Sequence, residues 1–239
     1  MALRPIFLSL VIALTLSACD TTPSVLSFAK EARPQPADFD QLGVDHNAAM
    51  DYGTSHWGSL SASDKDSAAG TSSARNAYVV NVVDPFMAQL GYDVVAAGNA
   101  GLEGRGQATG RTRNLSPEAD VFIAQIDHVI DTAESSEYAY GPLRSIENAA
   151  VQPSISNREL DAVLSTSAVA LASFEYWEGF FGGASGGYKQ MPQCVRGIIG
   201  ADAMGALWGA FGGPGGAGAG AARGSLIAYI SAAHQNLCG

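Results

Sequence analysis

The sequence predicts a mostly α-helical, bundle-like domain ending in a glycine-rich antiparallel helical hairpin. Three features carry that expectation. Ser116-Pro117-Glu118 opens an amphipathic run, and Ser156-Asn-Arg-Glu159 has capping-box form at the head of the longest apolar run. Two apolar arms flank Gly212-Gly-Pro-Gly-Gly216. Residues 41–191 read as the helical domain and residues 192–239 as the hairpin packed on it.

The N-terminus opens with Met1-Ala-Leu-Arg-Pro, followed by an apolar run from Ile6 to Leu16 and then Ser17-Ala18-Cys19. One positive charge, about a dozen apolar residues and small residues at the cut form an export signal over residues 1–18. The run falls short of the about twenty apolar residues that a spanning helix needs. Leu16-Ser17-Ala18-Cys19 resembles the lipobox of bacterial lipoproteins, in which the cysteine thiol receives diacylglycerol and becomes the new N-terminus. That resemblance implies lipidation at Cys19 and a place in the cell envelope. The chain would be anchored to the inner or outer membrane and face the periplasm or the cell surface. Residues 19–40, with Pro23, Pro34 and Pro36 among polar side chains, read as a tether between lipid and body.

The body begins near Leu42. Asp45 to Tyr52 reads as a short helix stopped by Gly53, and Ser59 to Ser73 as a small, polar surface loop. Ala77 to Leu90 places Val79, Val82, Val83, Phe86 and Leu90 at helical spacing, with Asp84-Pro85 able to start a fresh helix. A strand over Tyr78 to Val83 fits the same residues. Gly98 to Asn114 is a glycine-rich loop with Arg105, Arg111 and Arg113. The helix from Ser116 to about Glu134 turns Phe122, Ile126, Val129, Ile130 and Ala133 inward and Asp120, Asp127, Asp131 and Glu134 away. The helix opened by Ser156 runs to about Phe181, with Leu160, Val163, Leu164, Leu171, Phe174 and Trp177 along one side.

In the hairpin, Arg196 to Phe211 and Ala217 to Asn236 form the arms. Glycines at 205, 209 and 213 on one side and at 216, 220 and 224 on the other recur every four residues. Each glycine costs nearly 1 kcal/mol against alanine in a helix, so close backbone approach along the small faces is the expected return. Cys194 and Cys238 lie almost symmetrically about Gly216, and in an exported protein they are expected to form a disulfide. A zinc or redox pair lacks a C-x-x-C motif and a histidine at ligand spacing. Between Gly197 and Ala222 only Asp202 is charged. Arg223 is a candidate partner for it across the hairpin. A buried Asp and many glycines disfavour insertion in a bilayer, so packing into the helical domain is the expected fate.

The formal charge of −10, with three lysines, argues against nucleic acid, whose phosphates demand a basic face. Tests for chemistry give little. Gly183-Ala-Ser185-Gly-Gly187 fits G-x-S-x-G, and Asp202 and His234 follow in hydrolase order, but the motif needs a strand before the serine. Gly213-x-Gly215-x-x-Gly218 lacks the βαβ setting of a dinucleotide site. Neither H-E-x-x-H nor Glu-x-x-His occurs among the contexts of His46, His56, His128 and His234. Asp127 and Asp131 share a helix face that reads as solvated, and His46 with Asp51 reads as a cap or buttress. No cofactor or metal is expected.

His46-Asn47-x-x-Met50-Asp51 and Ala201-Asp202-x-x-Gly205-Ala206, the latter before a glycine-rich tail, resemble a group of uncharacterised bacterial lipoproteins. No activity comes with that resemblance. The expectation is a non-catalytic lipoprotein that meets the membrane through its lipid and acts by binding an envelope protein or by structural support. A membrane-perturbing hairpin is the alternative, and a hydrolase built on Ser185 a more distant one.

Overall fold

The computed structural model describes residues 33–95, 97, 115–152, 155–182 and 191–238; Cys19 and Ser185 lie outside them. Among the described residues the chain is helical throughout, as the apolar spacing predicts. A short 3₁₀ turn, Pro36–Phe39, leads into α1 (Asp40–Ser59), α2 (Ala62–Ala69) and α3 (Ser72–Gln89). There follow α4 (Pro117–Thr132), α5 (Ser136–Ala150), α6 (Asn157–Gly182), α7 (Gln193–Ala210) and α8 (Pro214–His234).

Local chemistry sets most helix starts. The side chains of Ser61, Thr71 and Ser116 accept from the backbone amides of Asp64, Ala74 and Ala119, the N-cap bonds that satisfy orphan donors. The capping box at Ser156 is closed in both directions, since Glu159 N–H donates to Ser156 Oγ and Ser156 N–H donates to Glu159 Oε2. Glu159 also accepts from Ser116 N–H at 2.6 Å and so ties the start of α4 to that of α6. Burial works against charge there, yet the bonds from Ser156 and Ser116 outweigh it and hold the Glu159 carboxyl down at about 2.

Several elements differ from expectation. Helix α1 does not stop at Gly53 but runs through it, and a Cβ there would stand 2.8 Å from the Leu226 side chain of α8. Glycine is kept for closeness, not for a turn. The polar stretch after Ser59 holds α2 instead of a loop, and α3 continues through Pro85, so the strand over Tyr78 to Val83 does not form. Within the stripe of α4, Ile123 is buried and Phe122 only partly so. Part of the expected tether is also docked. Arg33 donates to the carbonyls of Ala150, Val151, Gln152 and Ile155 and to Asn157 Oδ1, and Phe39 is buried.

The hairpin lies at the centre of the fold. Helix α8 packs on α7, α1, α3, α2 and α6. Its first half is buried on every side, with Ala217, Ala219, Ala221, Ala222 and Leu226 in the core. A helix apolar all round belongs in an interior. The two arms cross at their glycines: a Cβ on Gly205 would collide with the Gly220 carbonyl, and one on Gly209 with the Gly216 carbonyl. Gly213 makes the turn with φ +97°, a conformation open to glycine. Arg223 does not reach Asp202. It forks onto both Asp84 oxygens at 2.6 and 2.5 Å and donates to the Val94 carbonyl. In the hairpin register the two residues are close, but Asp202 faces α6 while Arg223 faces α3.

Cys194 and Cys238 stand at disulfide distance, with Cα atoms 5.6 Å apart and a sequence separation of 44. Closing a loop of that length stabilises a fold by roughly 4 kcal/mol on the chain-entropy model. Replacing both cysteines with serine is therefore expected to lower the melting temperature by roughly 10 °C. Thermal unfolding followed by circular dichroism reads this, and an unchanged midpoint would deny the staple any role.

Candidate functional site

The titratable groups most deeply set in this fold are His46 and Asp202, both 0% exposed. Helix α1 supplies His46 and Asn47, α6 supplies Ser173 and Trp177, and α7 supplies Asp202. Asp202 Oδ2 accepts from Ser173 Oγ at 2.6 Å and from Trp177 Nε1 at 3.0 Å, and lies 3.6 Å from His46 Nε2. His46 Nδ1 meets Asn47 Oδ1 at 3.1 Å, and Asn47 Nδ2 donates to the Ala172 carbonyl of α6. Each polar group is thus set by the next, from one helix to its neighbour.

Burial dominates the electrostatics. It lifts the Asp202 carboxyl to about 7, against the opposing pull of Ser173, Ser225 and Trp177. It lowers His46 to about 4, with Asn47 pulling the other way. Between those values the neutral acid faces the neutral imidazole, so the pair carries no net charge. Above about 7 the carboxylate would be a sealed charge held only by the neutral donors Ser173 and Trp177, which is costly so far from water. The cluster is closed to solvent, and its chemistry is that of a polar keystone joining three helices.

The two short sequence elements singled out above, His46-Asn47-x-x-Met50-Asp51 and Ala201-Asp202-x-x-Gly205-Ala206, meet here. His46 and Asn47 come from the first and Asp202 from the second, while Gly205 of the second makes the hairpin crossing. Each half carried a partial signal. His46 lies among apolar positions of its helix, and Asp202 is the lone charge of an apolar arm, so both demand a buried partner. Their pairing is tertiary and is invisible in either segment.

The other candidates are scattered. Asp51 is exposed and acts on the Tyr176 hydroxyl rather than on His46. His234 Nδ1 lies 3.9 Å from Asp66 Oδ1 near the end of α8, whereas Asp202 is sealed in the core. Ser185 lies outside the described residues. Asp127 and Asp131 share a face of α4, where burial first and then Asp131 raise Asp127 above the usual carboxylate range. No group of three or more His, Cys, Asp or Glu able to hold a metal ion occurs among the described residues. Between α4 and α5 an open apolar groove of about 440 Å³ is lined by Val121, Gln125, His128, Pro142 and Ile146. Among these lining residues His128 is the lone titratable group.

No helix among the described residues is long and apolar enough to cross a membrane. No protein-family model, curated protein or solved structure matches this chain.

Proposed function

We propose that the chain is an exported lipoprotein, held at the cell envelope by lipid on Cys19, whose helical body acts by binding or by structural support and not by catalysis. The observation that carries this is the Cys194–Cys238 pair at disulfide distance, which fits an oxidising space outside the cytoplasm and agrees with the lipobox at Leu16 to Cys19. The closure of the His46–Asp202 cluster supports the non-catalytic part, since the best candidates for acid–base work are spent on packing. Convergence of His46, Asn47 and Asp202 on one keystone assigns those residues to the fold and not to a reaction.

Replacement of Cys19 by alanine tests the anchor. Cells given a palmitate label should incorporate it into the wild-type protein and not into Cys19→Ala, and the variant should leave the membrane fraction. Label retained by the variant, or a wild-type protein that is unlabelled and soluble, would defeat the proposal. Dye release from vesicles tests the role. The intact lipidated protein is expected to leave vesicles sealed, because the glycine hairpin is bound up in the core; leakage at micromolar protein would favour membrane perturbation instead.

A further inference from the structure

We propose that the outer face of α7, from Gly197 to Phe211, pairs with the same face of a second copy of this chain. The two helices run antiparallel about Met204. Helix α7 turns its inner sides to α8 and α6. Its outer side carries Gly197, Gly200, Met204, Trp208 and Phe211, each exposed or half-buried. No charge interrupts them, since Asp202 points into the core. A helix face turned to water ordinarily carries charged side chains. The uncharged surface extends onto α8, where Gly224 meets half-buried Ala201 and Gly205.

The order of residues along the face selects the occupant. A closed two-fold interface brings residue i of one copy to residue j of the other, and j to i. Gly200 and Trp208 lie four residues on either side of Met204, and Gly197 and Phe211 lie seven on either side. Antiparallel pairing therefore sets each large ring of one copy over a glycine of the other. Both glycines have room, because a Cβ at either would meet nothing within 4 Å. A parallel pairing would instead stack Trp208 on Trp208 and leave gaps at the glycines. Lipid would gain little from bare glycine, whereas a partner helix can approach it closely. The charges at the two ends agree with this register. Exposed Arg158 stands 5.4 Å from the centre of the Phe211 ring. At the Gly197 end lie exposed Asp131 and Glu134 of α4, while Arg196 there is turned onto the Asp131 and Met191 carbonyls. Antiparallel pairing directs Arg158 of one copy toward those acids of the other. The stripe is about 21 Å long, at the small end of specific interfaces, so the pair forms in concentrated protein and parts on dilution.

Cysteine cross-linking reads the register. The mature chain carries serine in place of Cys19, and Cys194 and Cys238 stand at disulfide distance from each other. Met204→Cys then puts a free thiol on the two-fold axis. Mild oxidation of concentrated protein is expected to give a disulfide-linked dimer of this variant. Gly200→Cys and Gly197→Cys should not link, because the register holds their copies roughly 12 and 21 Å apart. A disulfide needs Cα atoms within about 7 Å. Val44→Cys, exposed on α1, gives the rate of chance collision. Gly200→Glu added to Met204→Cys should keep the helical spectrum yet lose the dimer, since a charge then faces Trp208 of the second copy. Linking at 197 and 200 as fast as at 204 would overturn the antiparallel register. Met204→Cys linking no faster than Val44→Cys, or a dimer that survives Gly200→Glu, would overturn the pairing. So would a wild-type chain that sediments as a monomer even at millimolar concentration.

Discussion

Gly205→Ala is expected to destabilise this protein while Gly197→Ala, eight residues upstream on the same helix, stabilises it. In a helix with free space, alanine gains up to about 1 kcal/mol over glycine. Gly197 is such a site, exposed and with nothing near its missing side chain. At Gly205 the added methyl would sit on the Gly220 carbonyl and 2.9 Å from the Ala221 Cα. Backbone cannot step aside as a flexible side chain can, so the arms must part. Overpacking of a dense core costs about 1–3 kcal/mol and sometimes more, and parting the central hairpin belongs at the upper end. Gly205→Ala should thus melt roughly 10 °C lower, and Gly197→Ala a few degrees higher. Adding Gly220→Ala to Gly205→Ala should cost less than the sum of the two, because both open the same crossing. Equal shifts of one sign at 197 and 205 would mean that the arms are not in contact there.

The second large effect is on the pH profile. The Asp202 carboxyl sits at about 7 in the fold against an ordinary 3.8, so its contribution to stability is present in acid and is lost as pH rises toward 7. His46 sits at about 4 against 6.5, so its contribution is present above 6.5 and is lost as pH falls toward 4. Between about 4 and 6.5 the two slopes oppose each other, and folding exchanges little net proton. Asp202→Asn keeps an acceptor for Ser173 and Trp177 but never has to bury a charge. At pH 8 the variant is expected to be more stable than the wild type by on the order of 3 kcal/mol, and near pH 4 the two should converge. The variant alone should then lose stability steadily from pH 6.5 to 4, through His46. Asp202→Leu would instead strand the donors of Ser173 and Trp177, at about 1–3 kcal/mol each, whatever the pH. Denaturant melts across pH 4 to 8 read all three; an Asp202→Asn profile parallel to the wild type would show that Asp202 does not titrate in this range.

What could be read in the sequence was local. The capping box at Ser156 and Glu159 and the proline-opened helix at Ser116 declare their starts within four residues. The hairpin declares itself by the symmetry of its glycines and cysteines about the turn. Helix α5 has no such signal: Gly141 and Pro142 interrupt its pattern, and the helix passes through both. Helix α2 is small and polar, and its Ser61 cap is its one clear mark. Gly53 misleads for a different reason: glycine marks stops and close contacts alike, and only the approach of Leu226 tells which. Asp202 was visible as an anomaly, a charge in an apolar arm, and Arg223 was its nearest opposite in register. Which side of a helix each faces is decided by the neighbours, and those come from distant segments.

The Arg33 clasp has a mechanical consequence. Tension arriving along the N-terminal segment is handed, through one guanidinium, to a cluster of carbonyls at the junction between α5 and α6. The pull is shared among several bonds at once at the rim of the bundle, before the chain turns into α1 and reaches the keystone. Drag on the body would fray that corner first, and the centre would stay folded.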